Sequence, residues 1–338
     1  MRILFVHDDA WVCQSLSGAL NSRRHVAHVI ANDTSFAHWS FGAKHVLRTD
    51  TYRLTPTFMT ILTNGRADII NTNNYSSWVA GEFFKRILHV PHIILLHGSD
   101  VRDLIEGRVP AIKRTFLISL LKAANLILAT TPDLLKYSQV IKRKILHLPQ
   151  PIVTNMFNEH AKKNELPGDP TVFSPTRLDE IKGARSIIQI LEKIAANFPS
   201  SHIFQVKWGR PSYLSLLSDT VPSKNLTFVD FIPRDLLPSW YVSSDIVIGQ
   251  MALGIMSNIE LEAMSCKTPV IVYDRYYNYC YGRRDLESAW EMTYDALSNH
   301  GVRQELVRRG ARIIEENHDI NLVAELYLKY LDQALHID

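Results

Sequence analysis

The chain has 338 residues, 46% of them hydrophobic, which is too long for one ordinary core and suits two domains of roughly 150 residues each. A formal net charge of +3 with only 21% charged residues excludes the strongly basic surface of a dedicated nucleic-acid binder. Cys13, Cys266 and Cys280 are odd in number, far apart and set among apolar or aromatic residues, which reads as buried free thiols in a reducing compartment rather than a disulfide framework.

Met1-Arg2 leads directly into Ile-Leu-Phe-Val, and no apolar run is long enough for a signal peptide or a membrane span. The expectation is a cytoplasmic protein, peripheral at most to the inner face of a membrane. Short aliphatic or β-branched runs at residues 2–7, 25–31, 45–48, 68–72, 92–97, 125–130 and 144–148 alternate with helical patterns. Such alternation predicts a parallel, doubly wound sheet. Trp78, Phe83, Phe84 and Ile87 recur at helical spacing and predict a helix with one face on that sheet. The helix expected around 112–124 carries Lys113, Arg114 and Lys122, but Lys113 falls on its apolar side, so the segment reads as a plain core helix rather than a lipid-binding one. Lys142-Arg143-Lys144 reads as a solvated cluster.

Residues 158–170 are polar and irregular, with Lys162-Lys163, Pro167-Gly168 and Pro170, and read as a linker. Strands are then predicted at 171–176, 203–208, 226–231, 245–249 and 270–273, with helices near 185–197 and 235–243. The second half thus repeats the plan of the first. The final third is predicted helical over 285–299, 302–317 and 321–334.

In open α/β sheets ligands bind beyond the carboxyl ends of the strands. That rule ranks His7-Asp8-Asp9, Asn73-Asn74, His97-Gly98-Ser99-Asp100, Thr130-Thr131, Arg177, Gly209-Arg210 and the loop to Asn258 as site candidates. The stretch 245–274 reads strand, loop, helix start at Ser257-Asn258, then strand. A helix start above a sheet aims N–H groups and the positive end of the helix dipole at a phosphate. Glu262, in the first turns of that helix, would repel such a phosphate unless it reached past it to ribose hydroxyls. Arg177 and Lys182 lie in the loop Ser174-Pro-Thr-Arg-Leu-Asp-Glu-Ile-Lys-Gly183 and can reach the same anion; taken alone, that loop is equally an Arg–Asp, Lys–Glu solvated turn. No His-Glu-x-x-His, zinc-spaced Cys pair or Gly-x-Gly-x-x-Gly occurs, so neither a metal nor a dinucleotide cofactor is expected.

These residues together resemble the group 1 glycosyltransferases, most strongly from Val172 to Val272. Arg177, Leu178, Lys182 and Gly183 match that family's Gly-Arg-Leu…Lys-Gly loop, with Thr176 replacing the first Gly, and Leu261–Ile271 match its Leu-Glu-Ala-Met-x-Cys-x-x-Pro-Val-Ile run. His97-Gly98-Ser99-Asp100 and Leu148-Pro149-Gln150-Pro151…Phe157 resemble its first-domain motifs. The resemblance implies an α/β, GT-B fold: two Rossmann-like domains whose parallel sheets face an interdomain cleft, and a helical C-terminal segment. It implies a first domain at 1–157, a linker at 158–170, a nucleotide-sugar domain at 171–320 and a terminal helix at 321–338 crossing back.

The implied activity is retaining, metal-independent transfer of a sugar from a UDP- or GDP-sugar, a co-substrate rather than a cofactor, to a glycan or lipid-linked acceptor. The implied catalytic groups are His97, Arg177 and Lys182. Gly209, Arg210, Phe231, Ile232, Gly254, Met256, Ser257, Asn258 and Glu262 would bind the donor, Glu262 taking the ribose, and Asp8, Asp9 and Asp100 lie on the acceptor side. Three departures stand out. Gly254 occupies the place of the family's first sugar-loop Glu, with Ile255-Met256-Ser257 replacing Gly-Phe-Gly; Asp8-Asp9-Ala10-Trp11 replaces a Gly-rich loop; and residues 275–281, with four tyrosines, replace Gly-Gly. Those tyrosines either stack on a sugar or base, or cap the domain edge. The departure at Gly254 leaves open a GT-B nucleotide-binding scaffold without transfer, or an epimerase or hydrolase.

Overall fold

The computed structural model describes residues 1–6, 8, 11–32, 46–49 and 67–335. They form two compact units, Met1–Pro151 with Asp319–Asp338, and Ile152–His318.

Among the described residues the first unit has seven strands: β1 (Arg2–Val6), β2 (Val26–Asn32), β3 (Val46–Thr49), β4 (Ile69–Thr72), β5 (His92–Leu96), β6 (Leu126–Ala129) and β7 (Leu146–His147). All pair in parallel, in the order β3-β2-β1-β4-β5-β6-β7. Parallel strands covered on both faces need continuous apolar runs, and β5 is buried at every residue. In β1 only Arg2 is exposed.

The helices are α1 (Val12–Ser22), α2 (Tyr75–Leu88), α3 (Ser99–Ile105), α4 (Ala111–Ala123), α5 (Ser138–Ile141) and, from the end of the chain, the helix Ile320–Leu335. The order reverses at β1, and right-handed crossovers therefore put α1 on one face and α2, α4 and α5 on the other. On the first face Leu16 and Leu20 of α1 and Phe5 of β1 share a core with Val323, Tyr327 and Leu331 of the terminal helix, Phe5 and Tyr327 having ring centroids 5.9 Å apart. On the second, Trp78, Leu117 and Leu121 pack over Ile94 and Ile127. Each such side chain stabilises the fold by about 1.5–3 kcal/mol through burial.

The second unit carries β8 (Thr171–Ser174), β9 (His202–Val206), β10 (Leu226–Val229), β11 (Ile246–Ile248) and β12 (Val270–Ile271), parallel in the order β10-β9-β8-β11-β12. Its helices are α6 (Ala184–Asn197), α7 (Pro211–Thr220), α8 (Leu237–Val242), α9 (Asn258–Ser265), α10 (Leu286–Ser298) and α11 (His300–Ile313), which makes the terminal helix α12. α6 buries Ile187, Ile188, Leu191 and Ile194, one stripe at helical spacing, against Phe173 and Ile203 of the sheet. α11 runs into a π-helical turn, Ile314–His318.

Residues 158–170 belong to the second unit rather than forming a linker. Their polar groups find partners there: the Asn164 N–H donates to Ser243 Oγ at 2.7 Å, and Leu166 packs on the core. The chain passes between units at Pro151/Ile152 and at His318/Asp319. The two passages touch, the Ile152 N–H donating to the His318 carbonyl at 2.7 Å. Cys13 and Cys266 are buried, Cys280 is half-buried, and all three are free thiols. Burial pushes the Cys280 thiol up to about 12.

Candidate functional site

At the carboxyl end of the second sheet, three loops are laced together by backbone hydrogen bonds. The loop after β8 meets the loop after β9 where the Leu178 N–H donates to the Trp208 carbonyl (2.9 Å) and the Arg210 N–H to the Leu178 carbonyl (2.9 Å). Gly209 sits between these bonds at φ +146°, and a Cβ there would lie 2.5 Å from the Leu178 carbonyl oxygen, so only glycine fits. The β8 loop meets the β11 loop where the Met251 N–H donates to the Lys182 carbonyl (2.9 Å).

Asp179 shapes the β8 loop from within. Its carboxylate accepts the Lys182 N–H at 2.9 Å and a guanidinium N–H of Arg177. Arg177 also lies over the Trp208 ring, 5.5 Å from its centroid, and is thus gripped on two sides before any ligand arrives. Phe231, after β10, meets Trp208 edge-on at 6.2 Å, while Ile232 is buried in the core. Arg210 pairs with Glu180 at 2.9 Å. A cavity of about 180 Å³ opens here, lined by Arg177, Asp179, Glu180, Ile181, Trp208, Gly209 and Arg210.

The β11 loop is organised by two buried polar side chains. Gln250 Oε1 accepts the N–H groups of Ala252 (3.0 Å) and Leu253 (2.7 Å). Glu260 accepts the Gln250 N–H (2.8 Å), the Ser257 N–H (2.7 Å) and the Ser257 hydroxyl (2.5 Å), a capping box that starts α9. This role is legible in Ser257-Asn258-Ile259-Glu260, a Ser-x-x-Glu ahead of an apolar helix.

Glu262 requires a correction. Its carboxylate is not at the loop surface but inside the unit, accepting Arg234 Nε at 3.0 Å, Arg234 Nη2 at 2.6 Å and the Tyr241 hydroxyl at 3.4 Å. Arg234 in turn stacks on Phe157, 5.2 Å from its centroid. Burial pushes the Glu262 carboxyl upward and Arg234 opposes that shift. With both oxygens held by internal donors, Glu262 is engaged in an ion pair inside the unit instead of being turned to the loop surface where the sequence placed it.

Gly254 has φ +70°, and a Cβ there would lie 2.6 Å from Arg275 Cδ and 3.0 Å from the Tyr273 ring. The stem of Arg275 thus fills the space into which the expected glutamate would project. The four tyrosines resolve in favour of capping. The buried Asp274 carboxylate accepts the N–H groups of Tyr276, Tyr277 and Tyr279, Tyr279 and Tyr281 are buried, and the Tyr277 hydroxyl meets His318 Nε2 at 3.0 Å. Burial pushes the Tyr277 hydroxyl up to about 12. Tyr276 alone of the four is exposed.

Of the donor-side candidates, Arg177, Gly209 and Arg210 line one cavity, and Lys182 joins it to the β11 loop holding Gly254, Met256, Ser257 and Asn258. In the first unit, His97 follows β5 and is half-buried. Asp100 accepts the N–H groups of Gly98 (3.0 Å) and Val101 (2.8 Å), and Asp8 accepts those of Cys13 (3.2 Å) and Gln14 (3.0 Å). Both carboxylates therefore serve helix starts. Asp9 and His7 lie outside the described residues. Among the described residues no cluster of His, Cys, Asp and Glu is arranged to hold a metal ion.

Residues 155–290, which hold every element of this laced site, match the family model for glycosyl transferases group 1. This segment is a group 1 glycosyltransferase domain. The whole chain is similar in structure to sucrose-phosphate synthase from Thermosynechococcus elongatus, with a TM-score of 0.78 at 14% identity over 100% of both chains. It is similar to a glycosyltransferase from Rickettsia africae, at 0.76 and 14% over 100% of this chain and 99% of that one. Anabaena HepE in complex with UDP-glucose matches at 0.74 and 15%, over 98% of this chain and 100% of that one. These likenesses establish the GT-B fold for the whole chain. No curated protein sequence matches it significantly.

Proposed function

We propose that the glycosyltransferase moves a sugar from a nucleotide-sugar donor to an acceptor hydroxyl, with retention of configuration and without a metal ion. The observation that carries this reading is Arg177, held between Asp179 and the Trp208 face at the mouth of a cavity beyond the strand ends, with Lys182 closing the same loop. As the bond from the sugar C1 to the diphosphate oxygen breaks, charge develops on that oxygen. Arg177 and Lys182 offer charge-assisted hydrogen bonds worth about 1.5–3 kcal/mol each there, and Arg177, already held by Asp179 and Trp208, gives its own without the cost of orienting a free side chain. The acceptor oxygen forms the new bond to C1 on the face the diphosphate leaves, and its proton passes to a leaving phosphate oxygen. No side chain acts as nucleophile. Phe231, exposed beside Trp208, offers an aromatic face for the base. The UDP-glucose bound by the HepE protein favours a UDP-sugar as donor. A glycan or lipid-linked acceptor held mainly by the N-terminal unit completes the reading.

Incubation with UDP- and GDP-sugars, scored for nucleotide release with and without candidate acceptors, tests it. Lys182→Ala is expected to lower transfer by roughly 10- to 200-fold, the rate equivalent of one lost charge-assisted bond. Full transfer by that variant would remove the diphosphate assignment, and loss of activity in excess chelator would remove the metal-free one. A second reading rests on Gly254 and Arg275: with that space filled, the protein binds nucleotide but does not transfer. Binding without turnover across the donor panel would favour it.

A further inference from the structure

The outer layer of the first unit exposes apolar side chains in rows. On α2, Val79, Phe83 and Ile87 stand four residues apart, one stripe of the helix, and are exposed by 43%, 44% and 54%. On α4, Ile112 and Phe116 stand one turn apart, exposed by 89% and 49%. α4 is therefore not the plain core helix expected from its sequence: Leu117, Leu120 and Leu121 are buried and Ile118 packs beside them, while Ile112 and Phe116 face out.

The two helices are neighbours on the same face of the sheet and run alongside each other. Lys113, near the start of α4, lies over the ring of Tyr75 at the start of α2, 5.7 Å from its centroid. The Lys85 ammonium, near the end of α2, donates to the carbonyl of Ala123 at the end of α4. Both apolar rows consequently point away from the sheet on one broad surface.

The charge of this surface is one-sided. α2 and α4 hold five cations, Lys85, Arg86, Lys113, Arg114 and Lys122, and one carboxylate, Glu82, for a net +4 against +3 for the entire chain. Glu82 is buried and bonded to Arg86 at 2.8 Å, so the exposed charge is almost wholly positive. A contiguous exposed apolar cluster rimmed by polar groups marks an interaction surface. A second copy docking by the same face would bring these cations together. An anionic bilayer instead accepts the apolar rows below its headgroups while Lys and Arg stems reach back to the phosphates. Among the described residues no helix is long and apolar enough to cross a membrane, so the contact is with its surface.

We infer that the α2–α4 face is a docking surface for an anionic lipid bilayer. This inference stands apart from the donor chemistry, which nucleotide release without lipid tests separately.

Flotation of the full chain with phosphatidylcholine vesicles, with and without phosphatidylglycerol, tests it. Binding is expected only with phosphatidylglycerol and is released by high salt. Lys113→Gln/Lys122→Gln should weaken binding by about fivefold per lysine. Phe83→Ser/Ile112→Ser/Phe116→Ser should weaken it more than about tenfold with charge unchanged, since burying each side chain contributes on its own. Thermal unfolding checks that the variants fold, and the single change Ile112→Ser, at a nearly fully exposed position, replaces the triple variant if that one does not. The inference is overturned if the parent chain fails to float, or if the serine variant floats undiminished. It is equally overturned if, without lipid, the chain is a dimer that Ile112→Ser disperses, or if an acidic protein occupies this face while vesicles do not.

Discussion

Removing Arg234 separates a structural role for Glu262 from a ligand-binding one. Arg234→Met keeps most of the volume and the contact with Phe157 but strips two N–H donors, at 3.0 and 2.6 Å, from a carboxylate that is itself almost inaccessible to water. Only the 3.4 Å contact from Tyr241 would remain. Breaking a buried pair in this way costs about 3–5 kcal/mol, because one charge stays in the interior without a counter-ion. In a unit of this size that corresponds to a fall in melting temperature of roughly 6–20 °C. Arg234→Met/Glu262→Leu removes both charges and should recover at least about half of the loss, since apolar replacement of a buried pair is often close to neutral. Differential scanning calorimetry of the parent, Arg234→Met, Glu262→Leu and the double variant gives the energies, and Glu262→Gln, titrated with UDP and GDP, gives the ligand side. Nucleotide affinity within about threefold of the parent's is expected for Glu262→Gln, as a difference under one kcal/mol is what indirect effects produce. The reasoning fails if Arg234→Met costs less than about 1 kcal/mol, if the double variant is merely the sum of its parts, or if Glu262→Gln loses nucleotide binding while staying folded.

Gly81→Ala on α2 should destabilise the first unit by about 1–3 kcal/mol even though alanine favours helices, because its Cβ would fall 2.1 Å from His92 Nε2 and break the bond of that nitrogen to Thr72 Oγ1 (2.8 Å); a gain in urea midpoint would sink this. Burial, with Lys85 adding to it, drives His92 from 6.5 down to about 3. The folded state therefore refuses a proton that the unfolded chain accepts. Stability is full above pH 6.5 and falls by about 1.4 kcal/mol per pH unit from there toward pH 3, a loss that His92→Gln should remove from the pH profile of the urea midpoint. An unchanged slope in that variant would count against the assignment. Gly254→Glu should cost about 1–2 kcal/mol, for the left-handed backbone, and should not raise transfer, since Arg275 occupies the required space; a stable variant with faster transfer would reverse that reading.

Much of the fold was open to reading because parallel strands buried on both faces must be apolar runs. Residues 92–97 and 203–208 announce themselves in this way, and the loop around Arg177 and Lys182, singled out in the sequence, is the one that borders the cavity lined by Arg177, Gly209 and Arg210. What escaped depended on partners distant in sequence. Glu262 looks like any helix carboxylate until Arg234, 28 positions earlier, closes on it. Helix α7 opens with Pro211 and buries little besides Tyr213 and Leu217, so its periodic signal is weak. Residues 158–170 have the composition of a linker, and only the bond to Ser243 and the packing of Leu166 tie them down. α4 shows the reverse case: its apolar content suggested burial, and only its neighbours in the sheet decide which side chains are covered.

The hydrogen bond between Ile152 and His318 has a consequence for how the protein is made. Residues 152–318 are one uninterrupted stretch whose two ends meet, so everything this unit requires has been synthesised by His318. The first unit begins earlier yet lacks Val323, Tyr327 and Leu331, which complete its core beside Phe5 and Leu16, until the last helix has left the ribosome. Domains generally fold in the order of synthesis, but the core of the first unit here is complete only with Val323, Tyr327 and Leu331, which follow the whole of the second unit in sequence.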